Sequence, residues 1–387
     1  MAIYLISFFT SCLLLNLSEK NKNKLGVRFI LTIIALFIPC ALAFLRHYSI
    51  GTDIQVYVKR LFECAQNSSS FVEYLNMHWF SIWKNNYVYD YEIGFTGMIY
   101  FATKITNNLQ FILASIHILI VFPIYFGIRK FRSLDKSLWL SMLTFYLMFY
   151  NVSLNIMRQY IAIAIMFYGI SCLLNETNGK IKFWVTLPIA ILFHNSALLG
   201  ILIYIIYMLV YKNEKLMIKI SKHRFSVQKI FLFLIFIFGI VIITNSSIIV
   251  KILEILNIER YENYVRGTVS FVRSSIIKII PIVILLFFIG KKFVNENKDA
   301  YFLLSMFIVD CIIVQFSSVN PYAIRIGYFF SIFNVVLFPS LCNLHKDGRD
   351  NKMILFVVVY LLFYWYYNFV FIGANETIPY VFYNKIV

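Results

Sequence analysis

Arg46, Gly51, Thr52, Asp53 and Tyr57 place a cation, a flexible turn, two oxygen-bearing side chains and an aromatic hydroxyl within twelve residues. Glu92, the pair Arg158-Gln159, His194 and Arg325 extend the set along the chain. The planar guanidinium of arginine grips phosphate oxygens in pairs, so two or three of them suit a diphosphate, which is also a good leaving group. Histidine is the side chain that titrates nearest neutral pH. Plainer readings stand beside these. Arg46 serves equally as a snorkelling anchor, Gly51-Thr52-Asp53 as a turn and helix N-cap, each further arginine as an interfacial anchor, and His194 as a buried structural residue.

The elements that carry these residues are apolar. Of 387 residues, 61% are hydrophobic and 14% charged, where soluble domains have roughly 45–50% and 25%, and the mean hydropathy is +0.78. The composition predicts an all-α polytopic integral membrane protein. A net charge of +17 would suit nucleic acid if the basic residues shared one face. They fall instead in short gaps between apolar runs, so they are topology signals and no nucleic-acid partner is expected. Cys12, Cys40, Cys64, Cys172, Cys311 and Cys342 show no CxxC or Cys/His metal spacing, which argues against a disulfide scaffold and a zinc site.

Ala2 to Leu17 lacks the basic leader of a cleaved signal peptide and is read as the first span. Runs of spanning length follow at about 27–45, 109–128, 154–174, 230–244, 276–289, 300–316, 324–341 and 353–372, with shorter ones at 93–105, 138–150 and 183–211. Six Lys/Arg-rich gaps, including Lys20-Lys22-Lys24, Arg129-Lys130 and Lys180-Lys182, are cytoplasmic by the positive-inside rule. Only even numbers of crossings then fit between consecutive gaps. Ile93 to Ile105 therefore reads as a re-entrant or amphipathic outer segment. Phe183 to Tyr211 reads as two half-spans turning at Phe193-His194-Asn195-Ser196, a broken hairpin of the kind tolerated where it lines a polar cavity. The expectation is one membrane domain over 1–387 with about twelve crossings, a large outer loop at 46–92 and a second at 245–275.

On this topology Arg46, Asp53, Asp90, Glu92, Arg158, His194 and Arg325 all fall toward the outside. Ionisable groups at membrane depth are costly enough to be read as functional. The rings of Tyr74, Trp79, Phe80, Trp83, Tyr87, Tyr89 and Tyr91 favour a membrane interface, which accounts for them without sugar stacking.

Arg46 with Gly51-Thr52-Asp53 and Tyr57, then Tyr91-Glu92-Ile93-Gly94-Phe95, Asn155 to Gln159 with Ala162, Phe193 to Ala197, and Arg325 with Tyr328-Phe329 together resemble the EpsG family of bacterial polysaccharide polymerases, relatives of the Wzy O-antigen polymerases. The family commonly has Glu-Pro-Gly-Phe where this chain has Glu92-Ile93-Gly94-Phe95. The resemblance, over about residues 1 to 345, implies a glycosyltransferase of the bacterial inner membrane whose active face is periplasmic. It would move a growing glycan from undecaprenyl diphosphate to the non-reducing end of a lipid-linked repeat. Implied partners are the undecaprenyl-diphosphate-linked oligosaccharide, membrane lipid and, optionally, a chain-length regulator. Arg158 and Arg325 would hold the diphosphate with Arg46 in support. Thr52, Asp53, Glu92 and Gln159 would bind sugar or orient the arginines, and His194 would accept the acceptor proton. No DxD or comparable metal pattern stands near these positions, so no metal or cofactor is expected.

Three rivals remain open at this level. An O-antigen ligase would normally carry a larger late outer loop than 245–275. A flippase or transporter needs midplane sites and usually paired repeats, and Asp310 is the residue that favours it. A non-catalytic membrane subunit is the third. The topology is tested by single cysteines: those at Asp90 and Asn263 should react with a membrane-impermeant reagent added from the periplasm, and those at Lys130 and Lys215 should not. The opposite pattern would put the arginines on the cytoplasmic side.

Overall fold

The computed structural model describes residues 1–21, 23–81, 84–131, 137–211, 217–220, 223–226, 228, 231–232, 234–235, 237, 272, 275–318, 322–343 and 351–384. Most of the expected span at 230–244 and of the second outer loop at 245–275 lies outside the described residues. The chain gathers into two compact units, Met1–Leu198 with Val358–Val387, and Leu199–Val357.

In the first unit the helices are α1 (Ala2–Lys20), α2 (Leu25–Leu45), α3 (Lys59–Asn67), α4 (Phe71–Asn76), α5 (Ile93–Thr106), α6 (Leu109–Ile128), α7 (Leu138–Phe145), α8 (Asn151–Ser153), α9 (Met157–Asn175) and α10 (Gly179–Ile191). A π-helical segment, Tyr146–Tyr150, joins α7 to α8. The strands β1 (His78–Ser81) and β2 (Lys84–Tyr87) form a small antiparallel hairpin. The second unit holds α11 (Leu199–Tyr211), the hairpin β3 (Met217–Ile220) and β4 (His223–Ser226), α12 (Ser275–Glu296), α13 (Ala300–Gln315), α14 (Ala323–Ser331) and α15 (Asn334–Cys342). Helix α16 (Asn351–Trp365) carries the chain back to the first.

Among the described residues six helices are long and apolar enough to cross a membrane, and a seventh span would be the pair α14 and α15, bent by 41°. The run at 93–105, read as a non-spanning outer segment, and the two halves of 183–211, read as half-spans, are short helices here. Helix α5 has 14 residues and α10 and α11 have 13 each. At 1.5 Å per residue each is about 20 Å long, against about 30 Å of hydrocarbon. The architecture is that of a multi-pass membrane protein.

Helix α9 is the most buried of the span-length helices, and α6 and α10 pack along it while α2 packs on α1 and α6. These contacts sort the charges of the first unit by end. At one end Lys130 and Lys182 both bind the Glu176 carboxylate, the first at 2.6 Å, and the two cations hold that carboxyl at about 2. Ser18 donates to the carbonyl of Arg28, near the basic α1–α2 gap, and because α6 runs antiparallel to α2 this gap shares the Lys130 end. At the other end lie Arg46, Asp53, Glu92, Arg158 and His194.

Candidate functional site

The apolar helix 138–153 stops at Leu154, three residues before α9 begins. A break at membrane depth frees backbone carbonyls that must be satisfied inside the protein. Arg46, the residue after α2, does this: its Nη1 donates to the Leu154 carbonyl at 2.9 Å and its Nη2 contacts Met157 Sδ at 3.2 Å. Arg46 is 0% exposed. It is thus a cation placed at the C-terminal end of a helix, where the dipole favours it. Gly51 closes on the same break. Its φ is +84°, and a Cβ there would lie 2.6 Å from the Leu154 carbonyl oxygen, so only glycine fits.

The turn after Gly51 is tied to the break through Asn155. Asn155 Oδ1 accepts from the Thr52 hydroxyl at 2.7 Å and from the Asp53 N–H at 3.4 Å. Asp53 in turn accepts from the Tyr57 hydroxyl. Burial, with the Asp53 carboxylate beside it, holds the Tyr57 phenol well above its ordinary range, so Tyr57 stays a donor at neutral pH.

Arg158 stands in the first turn of α9. Its guanidinium lies 4.8 Å from the centres of both the Tyr57 and the Tyr91 rings and pairs with Glu92. Each ring is worth about 0.5–2 kcal/mol to the cation. Tyr91 is backed by Trp79 of β1, stacked at 5.8 Å. Glu92 is the N-cap of α5, so Ile93 occupies the first helical position, which also tolerates proline. The departure from Glu-Pro-Gly-Phe therefore leaves the turn intact. Gly94 makes that turn possible, since its N–H donates to the Leu192 carbonyl at 2.8 Å and a Cβ would lie 2.7 Å from the same oxygen.

The other Glu92 oxygen accepts from the backbone N–H of Asn195 at 3.3 Å, which brings the break after α10 into the site. His194 sits there. Its Nδ1 accepts the Ser196 N–H at 3.1 Å and lies 2.6 Å from the Ser196 hydroxyl. A backbone N–H can only donate, so the neutral ring carries its proton on Nε2 and acts as a donor on that side. His47 repeats this turn with Ser49.

The structure thus brings Thr52, Asp53, Glu92, Arg158 and the 194–196 turn together, with Arg46 behind them. Gln159, one position and so about 100° further round α9, is buried at 5% exposure and faces the helix packing. Arg325 belongs to the second unit, at the start of α14, with its guanidinium 4.9 Å from the Tyr322 ring. Also there, Asp310 lies 3.8 Å from Lys278. Among the described residues no group of three His, Cys, Asp or Glu is gathered as a metal site would need. Sequence reasoning gave Asn155 and the two tyrosine rings no role of their own, although all three stand in the quoted motifs.

The Arg158–Glu92 pair is mostly buried, with side chains 21% and 11% exposed. Removing one partner leaves the other uncompensated. A double-mutant cycle on Arg158→Met and Glu92→Gln, read from unfolding of the detergent-solubilised protein, should give a coupling of about 1–3 kcal/mol. A coupling near zero would mean the two are not held together.

The model of the EpsG family matches residues 29–382. Neither the curated proteins nor the solved structures give a match to the chain. With most of its length matched, the chain belongs to the EpsG family, and its family and multi-pass helical architecture fit a polysaccharide polymerase.

Proposed function

We propose that this protein is a polymerase of the bacterial inner membrane that transfers a growing glycan from undecaprenyl diphosphate to the non-reducing end of a lipid-linked repeat, on the periplasmic face. The observation that carries the proposal is Arg158. It is a cation resting against two neighbouring aromatic rings at the N-terminus of a membrane-length helix, opposite the basic end of the unit. No side chain caps α9 there, and a helix N-terminus with open N–H groups favours an anion. The positive-inside rule then directs this end outward.

In the reaction, the bond between the sugar C1 and the diphosphate oxygen breaks and the acceptor hydroxyl oxygen bonds to C1. The diphosphate leaves with the bonding pair and the hydroxyl loses a proton. Arg158 would stabilise the charge that grows on the leaving oxygens, with Arg46 fixing the helix break behind it. Thr52 and Asp53 would bind sugar hydroxyls. Glu92 would exchange Arg158 for the acceptor hydroxyl when the diphosphate takes the arginine, and accept the proton. His194, whose Nδ1 lone pair is engaged, would support the turn. The Lys278–Asp310 contact gives Asp310 a cationic partner within the second unit.

Purified protein in liposomes with a lipid-linked repeat should lengthen the glycan. Glu92→Gln should slow elongation by about 10²–10⁴, the range for loss of a general base, while His194→Asn, which reproduces the Nδ1 acceptor in its turn, should stay close to wild type. A slow His194→Asn beside an active Glu92→Gln would return the base to His194. Absence of elongation, with transfer to a lipid A core acceptor instead, would identify a ligase.

A further inference from the structure

Beyond the helical part of the first unit, Gly373–Tyr383 forms a strap that is not a plain tail. Gly373, Asn375 and Glu376 have φ of 71°, 67° and 52°, so two non-glycine residues sit in the left-handed region. Asparagine tolerates that conformation better than most residues, but something must hold it. Asn375 Oδ1 receives Asn155 Nδ2 at 3.3 Å. The direction is fixed at the other end of the amide, because Asn155 Oδ1 is already the acceptor for the Thr52 hydroxyl and the Asp53 N–H.

One helical turn earlier the pattern repeats. Asn151 Oδ1 accepts from the Trp365 indole at 2.8 Å, so its Nδ2 donates to Thr377 Oγ1 at 2.8 Å. The Thr377 carbonyl in turn accepts from the Tyr4 hydroxyl at 3.0 Å. Further along, the His47 N–H donates to the Val381 carbonyl at 2.8 Å and the Tyr383 N–H to the Leu45 carbonyl at 2.9 Å. These two bonds flank Arg46, which forms a β-bridge with Phe382. The strap therefore touches both sides of the helix break, Arg46 on one and Asn151 with Asn155 on the other.

We infer that this strap is a working part of the site and that Asn375 is a positioning residue. Asn375 holds the Asn155 carboxamide in the orientation that receives Thr52 and Asp53, and thereby sets Asp53 and Tyr57 against Arg158. For its activity readout the inference rests on the polymerase reading, and a second readout is independent of it.

Two variants of the full chain separate positioning from folding. Asn375→Gly keeps the left-handed backbone without strain and removes the side-chain acceptor, whereas Asn375→Asp keeps an acceptor for Asn155 Nδ2. Asn375→Gly should fold to the wild-type level yet elongate about tenfold or more slowly, as expected when groups that hold the substrate are misplaced. Asn375→Asp should elongate close to wild type. A nitroxide at Gln55, an exposed position in the Thr52–Tyr57 segment, should become more mobile in the Gly variant and not in the Asp variant. Wild-type elongation and unchanged Gln55 mobility in Asn375→Gly would overturn the inference, as would an Asp variant as slow as the Gly variant. If the wild-type protein does not elongate at all, the polymerase reading fails while the Gln55 measurement still decides the role of the strap.

Discussion

The bond from Arg46 to the Leu154 carbonyl is the constraint on which the first unit turns. A helix that breaks inside a membrane protein exposes carbonyls to a medium that cannot solvate them, at about 1–3 kcal/mol for each one left unsatisfied. Arg46 meets that demand from the end of α2, and its own charge is offset by the helix end it caps. The break then has consequences on both sides. It turns Asn155 toward the Gly51–Tyr57 segment, and it starts α9 afresh with Arg158 in its first turn. A continuous helix would have no such N-terminus and would leave Arg158 at an ordinary mid-helix position.

Arg158 sits at the unfavourable end of its own helix dipole. Two rings and the Glu92 carboxylate compensate, and all three come from the segment between α2 and α5. The same segment reaches the turn after α10 through the Asn195 N–H and the Leu192 carbonyl. The site is therefore built where two helix breaks and one helix N-terminus meet. Among the described residues the charges at that junction are Arg46 and Arg158 with Asp53 and Glu92, and Asp53 is engaged by Tyr57. An anionic ligand that took Arg158 would free Glu92 beside it.

The residues of the site were largely legible in the sequence. Gly51-Thr52-Asp53, Glu92, Arg158 and His194 stood out because charged and turn-forming residues are rare in a chain this apolar, and their order matched a family. Their roles were harder to read. Spacing shows that Arg46 follows a span, which fits an anchor or a supporting cation, but not that Leu154, more than one hundred residues away, lies against it. The strap was invisible for the same reason, since Asn375 meets Asn155 across 220 residues. His194 looked like a base because residue type carries its acidity, whereas the Ser196 N–H that occupies Nδ1 is a matter of turn geometry. Helices α5, α10 and α11 are short, as the parity of the basic gaps required of 93–105 and of the two halves of 183–211, whereas the count of about twelve crossings rested on run length and parity alone.

Orientation and chemistry meet in one measurement, a structure of the protein in a lipid nanodisc with an undecaprenyl-diphosphate-linked oligosaccharide bound. The diphosphate is expected within hydrogen-bond distance of Arg158 at the N-terminus of α9, with Glu92 displaced from the arginine and Arg46 still on the Leu154 carbonyl. A diphosphate found at the opposite end of the unit, among Lys130 and Lys182, would contradict the assignment of this site.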